Sequence, residues 1–236
     1  MKSTRKISRQ TVTEYLSKHH IPKNSRIIAA FSGGPDSTAM ASILSSLNEY
    51  NFEIICAYYN HNLRDMAELE NEISDVKKLA EKLKLKIITG EAGPGLIKKD
   101  AAENKKSLEE AARDARYAFL YKIKDELKAD FIAVGHNLED NAETMLMRFI
   151  LNAGINGLSG IPEKRGCIIR PLIGLSRQRI ENYLTESELS FCVDSTNRGL
   201  DFMRNRLRLK VIPPVVDHFP EFITNMTRLS QKIELN

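Results

Sequence analysis

Two short polar segments of this 236-residue chain carry residue types that suit phosphate and amine chemistry. In the first, Ser32-Gly33-Gly34-Pro35-Asp36-Ser37 follows an apolar run and leads into a helical pattern. Its two glycines allow successive backbone N–H groups to point at one anion, and a helix start adds partial positive charge. The segment therefore predicts a loop that binds phosphate or pyrophosphate.

Asp36 distinguishes this loop from the common nucleotide-binding motifs. No lysine follows the glycines as in P-loop NTPases, and the sequence contains no G-x-G-x-x-G pattern. A carboxylate in an anion-binding loop repels phosphate unless a divalent cation lies between them, so Asp36 is a candidate Mg²⁺ ligand. The alternative is a plain glycine-containing turn with a capping Ser or Asp.

The second segment, 135–144, contains an imidazole and two carboxylates at helical spacing. If a helix begins near Asn137, then His136, Asp140 and Glu143 share one face at i, i+4 and i+7. Two carboxylates suit an ammonium group or a metal ion, and His136 or Asp140 could take the proton that an attacking amine loses. Lysine fits such a site. The alternative is that these residues only cap and solvate a helix start.

The elements that position both segments alternate along the chain. Short β-branched runs lie at 26–31, 53–59, 85–89 and 131–134, and helical patterns lie near 37–48, 67–84 and 107–128. This alternation predicts an α/β fold with a doubly wound, mostly parallel sheet and helices on both faces. Both polar segments then lie at the carboxyl ends of strands, where such sheets bind ligands.

The remaining segments are less regular. Ser107 followed by Glu110 predicts a helix start, whereas the turn-forming, charged stretch 90–106 predicts a mobile loop. A further helix is expected near 176–188, with a basic stretch from Arg204 to Lys210. We expect a nucleotide-binding domain at 1–153, a continuation of the catalytic domain at 154–216, and a short helical segment at 217–236. The chain is then either a compact protein or one whose extra C-terminal domain is truncated or absent.

Charge and cysteine content indicate which partners and which cellular compartment to expect. The net charge is +4, and basic residues concentrate in 1–30 and 164–210. This charge suits a polyanionic partner, but it fits a solvated basic surface equally well. Motifs must decide between the two. Three widely spaced cysteines without a C-x-x-C pair indicate a reducing compartment. No apolar run reaches about 18 residues, so we expect a cytoplasmic protein without membrane attachment.

The phosphate loop resembles the S-G-G-x-D-S loop of PP-loop ATP pyrophosphatases. This resemblance implies a Rossmann-like fold that binds ATP and Mg²⁺, releases pyrophosphate and leaves an adenylated intermediate. The ATP contacts that it implies are Ser32, Gly33, Gly34, Pro35, Asp36 and Ser37, with Asp36 as the Mg²⁺ ligand. It does not choose the substrate, because the class includes amide synthetases and several tRNA-modifying enzymes.

Further motifs narrow the resemblance to the tRNA(Ile)-lysidine synthetases. The family's H-N-x-x-D-x-x-E-T pattern is present at 136–144, with Glu139 where Asp is usual, and Asn62 replaces a family glycine. The other matching segments are Asn60-His61-Asn62-Leu63-Arg64, Glu110 to Tyr117, Arg170-Pro171-Leu172, Asp194-Ser195-Thr196-Asn197 and Phe202 to Arg208. Together they span about residues 11–216.

This resemblance implies the substrates and assigns roles to residues. The substrates are ATP, free L-lysine and the wobble cytidine of a tRNA(Ile) with a CAU anticodon. The implied catalytic residues are Asp36, Arg113, His136 and Asp140, with Asp140 and Glu143 binding lysine. Candidate tRNA contacts are Arg170, Arg177, Arg204, Arg206 and Arg208. A structural role is the alternative for each of these arginines.

Three alternatives remain open from the sequence. For Arg113 and more so Arg116, the alternative to a phosphate contact is a solvent-exposed helical side chain. The chain could be a PP-loop enzyme that acts on another tRNA base or a small molecule, or a non-catalytic nucleotide-binding module. We expect no glutaminase partner and no C-x-x-C sulfur chemistry, and a homodimer is compatible with the sequence.

Overall fold

The core of the fold is a six-stranded sheet with the strand order β3-β2-β1-β4-β6-β5. The computed structural model describes residues 3–63, 66–192 and 203–234. The strands are β1 (Arg26–Ala30), β2 (Glu53–Asn60), β3 (Lys86–Glu91), β4 (Phe131–Ala133), β5 (Lys164–Arg165) and β6 (Ile168–Ile169). All neighbours pair in parallel except β5 and β6, which are antiparallel. The predicted fold class is confirmed.

Helices cover both faces of this sheet. They are α1 (Thr4–Lys18), α2 (Pro35–Ser46), α3 (Met66–Lys82), α4 (Leu96–Glu103), α5 (Leu108–Glu126), α6 (Leu138–Ile150), α7 (Arg177–Glu186), α8 (Met203–Arg206), α9 (Ile212–His218) and α10 (Phe222–Glu234). A π-helical turn at Leu207–Val211 joins α8 to α9, and a 3₁₀ turn at Ile155–Ser159 follows α6. The expected C-terminal helical appendage is present.

The alternation of side chains along β1 explains the layers. Ile27 and Ala29 pack with Leu16 and Met40 of α1 and α2, whereas Ile28 packs on the opposite face with residues of α5. A strand buried on both faces reads as a continuous apolar run, which is the pattern of a central parallel strand. The core therefore lies on both sides of β1, and the strand ends are held rigidly.

The order of the strands places the two polar segments side by side. The chain runs from β1 outward through β2 to β3, and β4 then pairs with the other side of β1. The connection reverses between β1 and β4, which is where ligands bind in sheets of this kind. A Cβ on Gly135, just after β4, would lie 3.3 Å from the Asp36 carbonyl carbon, so the two loops touch.

The prediction of a mobile loop at 90–106 is wrong. Gly90 and Glu91 extend β3, and α4 occupies most of the remainder. Ile97 is the one buried residue of α4, and it packs with Ala92 and Ala111. Because one anchoring side chain is too few to produce a helical period, the sequence pattern was polar and irregular.

Among the described residues, no helix is long and apolar enough to cross a membrane. The division of the chain at 153 and 216 stays a prediction.

Candidate active site

The phosphate loop is shaped by its own side chains. The Ser37 hydroxyl donates to the Gly34 carbonyl at 3.0 Å, and the Thr38 hydroxyl donates to the Gly33 carbonyl at 3.1 Å. Gly33 has φ +76°, and a Cβ there would lie 2.9 Å from Val76 and 3.1 Å from the Cys192 sulfur. Only glycine fits this backbone position without strain. The loop is therefore preformed at the start of α2.

Asp36 lies in the first turn of α2 and faces the segment that follows β4. Asn137 Nδ2 donates to Asp36 Oδ1 at 3.0 Å. Burial raises the pKa of Asp36, the nearby charge of Asp140 raises it further, and Asn137 and the charges of Arg177 and Arg208 oppose the rise. A partly buried carboxylate whose ionised form is disfavoured is the kind of group that a cation would stabilise.

The start of α6 fixes Asn137 and Asp140 relative to each other. Asn137 Oδ1 accepts from the Asp140 backbone N–H at 2.9 Å, and Asp140 Oδ2 accepts from the Asn137 N–H at 3.1 Å. This reciprocal pair is a capping box, which satisfies two backbone donors at a helix start. The predicted start of a helix near Asn137 is confirmed, and one oxygen of Asp140 is committed to it.

Two arginines occupy the acidic pair that was predicted to bind lysine. Arg208 contacts both oxygens of Glu143 at 2.7 and 2.8 Å and Asp140 Oδ1 at 2.8 Å. Arg204 reaches Glu143 Oε2 at 3.1 Å and Asp140 Oδ1 at 3.3 Å. Arg206 is exposed. The predicted tRNA contacts Arg204 and Arg208 therefore lie inside the site, paired with carboxylates.

A second, basic half of the site surrounds His136. Burial lowers the pKa of His136 well below its ordinary value, and the charges of Arg170, Arg204, Arg113 and Arg116 lower it further. The imidazole is thus neutral near pH 7, and its Nδ1 has no hydrogen-bond partner among the described residues. A neutral, unpaired ring nitrogen can accept a proton or a hydrogen bond.

Arg116 is partly buried, which argues against the alternative of a solvent-exposed helical side chain. It lies in the cavity wall, burial lowers its pKa, and its Nε is buried without a partner in the described part of the chain. Arg113 is the exposed member of the pair, with its guanidinium carbon 5.4 Å from the Tyr117 ring centre. Buried cationic groups without acidic partners predict an anionic ligand.

Arg170 and Arg177, the other predicted tRNA contacts, are both held near the site. Arg170 is buried and donates from Nη1 to the Pro162 carbonyl at 2.6 Å. Arg177 begins α7, where its backbone N–H donates to Glu139 Oε2 at 2.9 Å. Glu139, the departure from the family's Asp, thus ties α6 to α7. The charge of Arg177 acts on Asp36 rather than on a remote surface.

A cavity of about 650 Å³ lies between the phosphate loop, His136 and Arg116. Such a volume is typical of sites for nucleotides and other cofactor-sized ligands. Its walls include Asp36, Ser37, Gly135 and His136. They also include residues that the sequence analysis did not assign to the site: Tyr58, Tyr59, Asn60, Leu108 and Arg116. The signal for the first three was present, because they lie at the carboxyl end of a strand that was predicted for the same parallel sheet.

The residues fit a Mg²⁺ ion only together with a ligand. In the described residues no group of three or more His, Cys, Asp or Glu side chains could hold a metal. Asp36 offers a single carboxylate in the phosphate loop, which matches how Mg²⁺ is bound by one or two carboxylates plus phosphate oxygens and water. Arg64, Asp194 to Asn197 and Phe202, which contributed to the family resemblance, lie outside the described residues.

Comparisons with known proteins agree with this geometry. Residues 4–215 match the PP-loop domain family. The chain is 39% identical over 219 residues to a tRNA(Ile)-lysidine synthase of Clostridium acetobutylicum, covering 92% of this chain and 47% of that protein. It is 37% identical over 225 residues to the tRNA(Ile)-lysidine synthase of Thermosipho africanus, covering 95% and 51%. The chain thus spans about half the length of these curated relatives.

Solved structures show the same fold. The U34-tRNA thiolase NcsA from Methanococcus maripaludis, solved with its [4Fe-4S] cluster, superposes with a TM-score of 0.77 at 20% identity, covering 98% of this chain and 80% of that chain. The chain therefore belongs to the PP-loop domain family, and its resemblance to the tRNA(Ile)-lysidine synthases is confirmed.

Proposed function

We propose that this protein joins lysine to C2 of the wobble cytidine of a tRNA(Ile) with a CAU anticodon, using ATP and releasing AMP and pyrophosphate. One observation carries the proposal: a phosphate loop, a carboxylate pair and a neutral histidine among arginines meet at one switch point of the sheet. This arrangement offers separate places for a nucleotide, an amine and an anionic RNA segment. The sequence similarity to tRNA(Ile)-lysidine synthases supports the same assignment.

In the first step, the phosphate loop holds the β- and γ-phosphates of ATP. Asp36 and phosphate oxygens would hold Mg²⁺, which offsets the negative charge that Asp36 brings to the loop. The cytosine O2 attacks the α-phosphorus, the bond to the pyrophosphate oxygen breaks, and the base becomes adenylated. Arg113, Arg116 and Arg170, whose charges all act on His136, would stabilise the negative charge that develops on phosphorus.

In the second step, the ε-amine of lysine attacks C2 and AMP leaves with the O2 oxygen. Asp140 and Glu143 hold the amine, as their present pairing with cationic side chains supports. Lysine's amine has a solution pKa of about 10.4, so a proton must be accepted before or during the attack. The anticodon loop presents its bases unpaired, so the cytidine is reached without duplex opening.

His136 is the better candidate for the proton acceptor. Asp140 Oδ2 is committed to the capping box and Oδ1 to two arginines, whereas His136 Nδ1 has no partner in the described chain. The surrounding arginines make His136 a weak base in the free protein. A phosphate bound among them would offset their charge and raise the pKa of His136 towards its ordinary value.

The test is the incorporation of radiolabelled lysine into an unmodified tRNA(Ile) transcript with ATP and Mg²⁺. We expect incorporation that requires ATP and is abolished when the wobble cytidine is replaced by uridine. Asp36→Asn is expected to abolish it as well. Pyrophosphate release with another tRNA or a small carboxylate, without lysine incorporation, would replace this function with that of a different PP-loop enzyme.

A further inference from the structure

The two arginines on the acidic pair are held unequally. Arg208 makes three contacts of 2.7 to 2.8 Å and binds Glu143 through two adjacent nitrogens. Arg204 makes two contacts of 3.1 and 3.3 Å. Because charge-assisted hydrogen bonds in proteins are usually 2.7 to 2.9 Å long, the contacts of Arg204 are the weaker set. Arg204 is the cation that can leave at lower cost.

The oxygens that Arg204 uses are the ones that an amine needs. Its two nitrogens contact Asp140 Oδ1 and Glu143 Oε2, one oxygen on each carboxylate. A single ammonium group, with three donors, can bridge the same two oxygens. Two carboxylates already balance two guanidinium groups, so a third cation at this place is unfavourable unless one arginine withdraws.

An anion on the other side of Arg204 would favour the same movement. Arg204 lies close enough to His136 and Arg116 for its charge to lower the pKa of each, as do Arg113 and, for His136, Arg170. This cluster contains buried nitrogens without partners in the described residues. A phosphate bound there would attract Arg204 away from the carboxylates.

We propose that Arg204 is an exchangeable occupant of the amine site, displaced from Asp140 and Glu143 by the lysine ammonium and taken up by the phosphate of the RNA or nucleotide partner. Lysine and the phosphate then each make binding of the other more favourable, because both stabilise the position of Arg204 away from the carboxylates. The result is positive coupling between lysine and its anionic co-substrate. This inference rests on the proposed function, since it names how the same site admits its two substrates.

Equilibrium dialysis of labelled lysine, without ATP and with or without unmodified tRNA(Ile) transcript, tests the exchange. We expect the transcript to tighten lysine binding by about tenfold in the wild type, within the usual range of coupling between two sites. In Arg204→Gln, lysine alone should bind about tenfold more tightly than to the wild type, because its competitor is gone. The transcript should then change the affinity less than about twofold.

Lys210→Gln is the matched control, since it removes the same charge from an exposed position in the same helical segment. It should keep the wild-type affinity and coupling. Arg204→Lys is a second variant that retains the charge if Arg204→Gln does not fold. Its ammonium cannot reproduce the two-nitrogen contact, so it should tighten lysine binding by a smaller factor than Arg204→Gln. Thermal unfolding checks that each variant is folded.

The outcomes separate the exchange from the function. Equal or weaker lysine binding by folded Arg204→Gln, with lysine incorporation by the wild type intact, overturns the exchange and leaves the function standing. If the transcript still tightens lysine binding by the wild-type factor in Arg204→Gln, the exchange is likewise overturned and the function stands. A wild type that neither binds nor incorporates lysine, while still releasing pyrophosphate from ATP with another acceptor, overturns both.

Discussion

Asp36 is a single residue of the site whose ionised side chain lowers the stability of the fold. Its carboxylate is partly buried near Asp140, and Asn137 gives it one hydrogen bond. The folded state therefore favours the protonated form, and burial is the main reason that the pKa is raised. Functional carboxylates are commonly kept in such unfavourable surroundings, where a bound cation or ligand offsets the cost.

Replacing Asp36 by Asn should raise stability while removing activity. The pKa of Asp36 is higher in the folded state than in the unfolded state. The ionised carboxylate therefore destabilises the folded wild type at pH 7, and this cost disappears as the pH falls through the raised pKa. Asp36→Asn should therefore unfold at a higher urea concentration at pH 7, and its advantage should shrink towards pH 4. Pyrophosphate release should fall at least about 100-fold.

Asp75→Asn is the control, because Asp75 is an exposed carboxylate on α3. It should leave both stability and pyrophosphate release nearly unchanged. A lower stability of Asp36→Asn at pH 7 would contradict this account of the buried charge.

In the proposed reaction, His136 should set the acidic limit of activity. Its pKa lies well below 6.5 in the free protein, so kcat/KM should stay level down to pH 6.5 and decline only at lower pH, as the imidazole becomes protonated. His136→Gln should lower kcat by about 100-fold or more and remove that decline. His218→Gln, at an exposed position on α9, should keep the wild-type profile. An unchanged acidic limb in His136→Gln would assign the proton to another group.

At the scale of elements, the phosphate loop depends on packing from two distant segments. Gly33 lies against Val76 of α3 and against Cys192, whose backbone N–H donates to the Gly33 carbonyl at 2.8 Å. The loop is thus confined from outside as well as by Ser37 and Thr38. Confinement of this kind preorganises the N–H groups before a ligand arrives.

Gly33 and Gly95 allow a comparison in which only the packing differs. Both have positive φ, +76° and +74°, so an alanine is strained by a similar amount at either position. A Cβ at Gly33 would meet Val76 and Cys192, whereas a Cβ at Gly95 would meet nothing within 4 Å. Gly33→Ala should therefore cost about 1 to 3 kcal/mol more in urea unfolding than Gly95→Ala. It should also weaken ATP binding, and equal costs would refute the packing argument.

The elements nearest the site were the easiest to predict from sequence. The strand before Ser32, the loop and the start of α6 each combine a buried run with a specific polar cap, so local patterns sufficed. Helix α4 was missed because Ile97 is its single buried residue. The burial of Arg116 and the pairing of Arg204 with the carboxylates depend on which helices meet, and no local spacing in the sequence contains that information.

At the scale of the whole molecule, the positive charge is not simply a surface for RNA. Arg170 is buried and Arg116 partly buried near His136, and Arg204 and Arg208 are paired with carboxylates. The basic stretch from Arg204 to Lys210 therefore offers fewer free cations to phosphates than its sequence suggests. Only exposed residues such as Arg206 can act as ordinary phosphate contacts.

Salt dependence should separate these two kinds of arginine. If Arg206 contacts a tRNA phosphate, Arg206→Gln should reduce the slope of log affinity against log salt by about 0.7 to 0.9 and leave stability unchanged. Arg208→Gln should instead lower the free energy of unfolding by about 1 to 3 kcal/mol, because Glu143 is 2% exposed and loses its closest partner. Filter binding at several salt concentrations and urea unfolding measure the two effects. A lower stability of Arg206→Gln together with a reduced salt slope of Arg208→Gln would instead make Arg206 the structural residue and Arg208 the phosphate contact.

The hydrogen bond between Asn137 and Asp36 joins residues 101 positions apart, and Arg208 closes on Glu143 another 65 positions along. A growing chain on the ribosome therefore makes the phosphate loop early but cannot complete the site until almost the whole domain has emerged. Domains fold as units during synthesis, and contacts between distant residues form slowly. Chains that end before Arg208 should consequently lack its pairing with Glu143 and bind ligands at this site poorly.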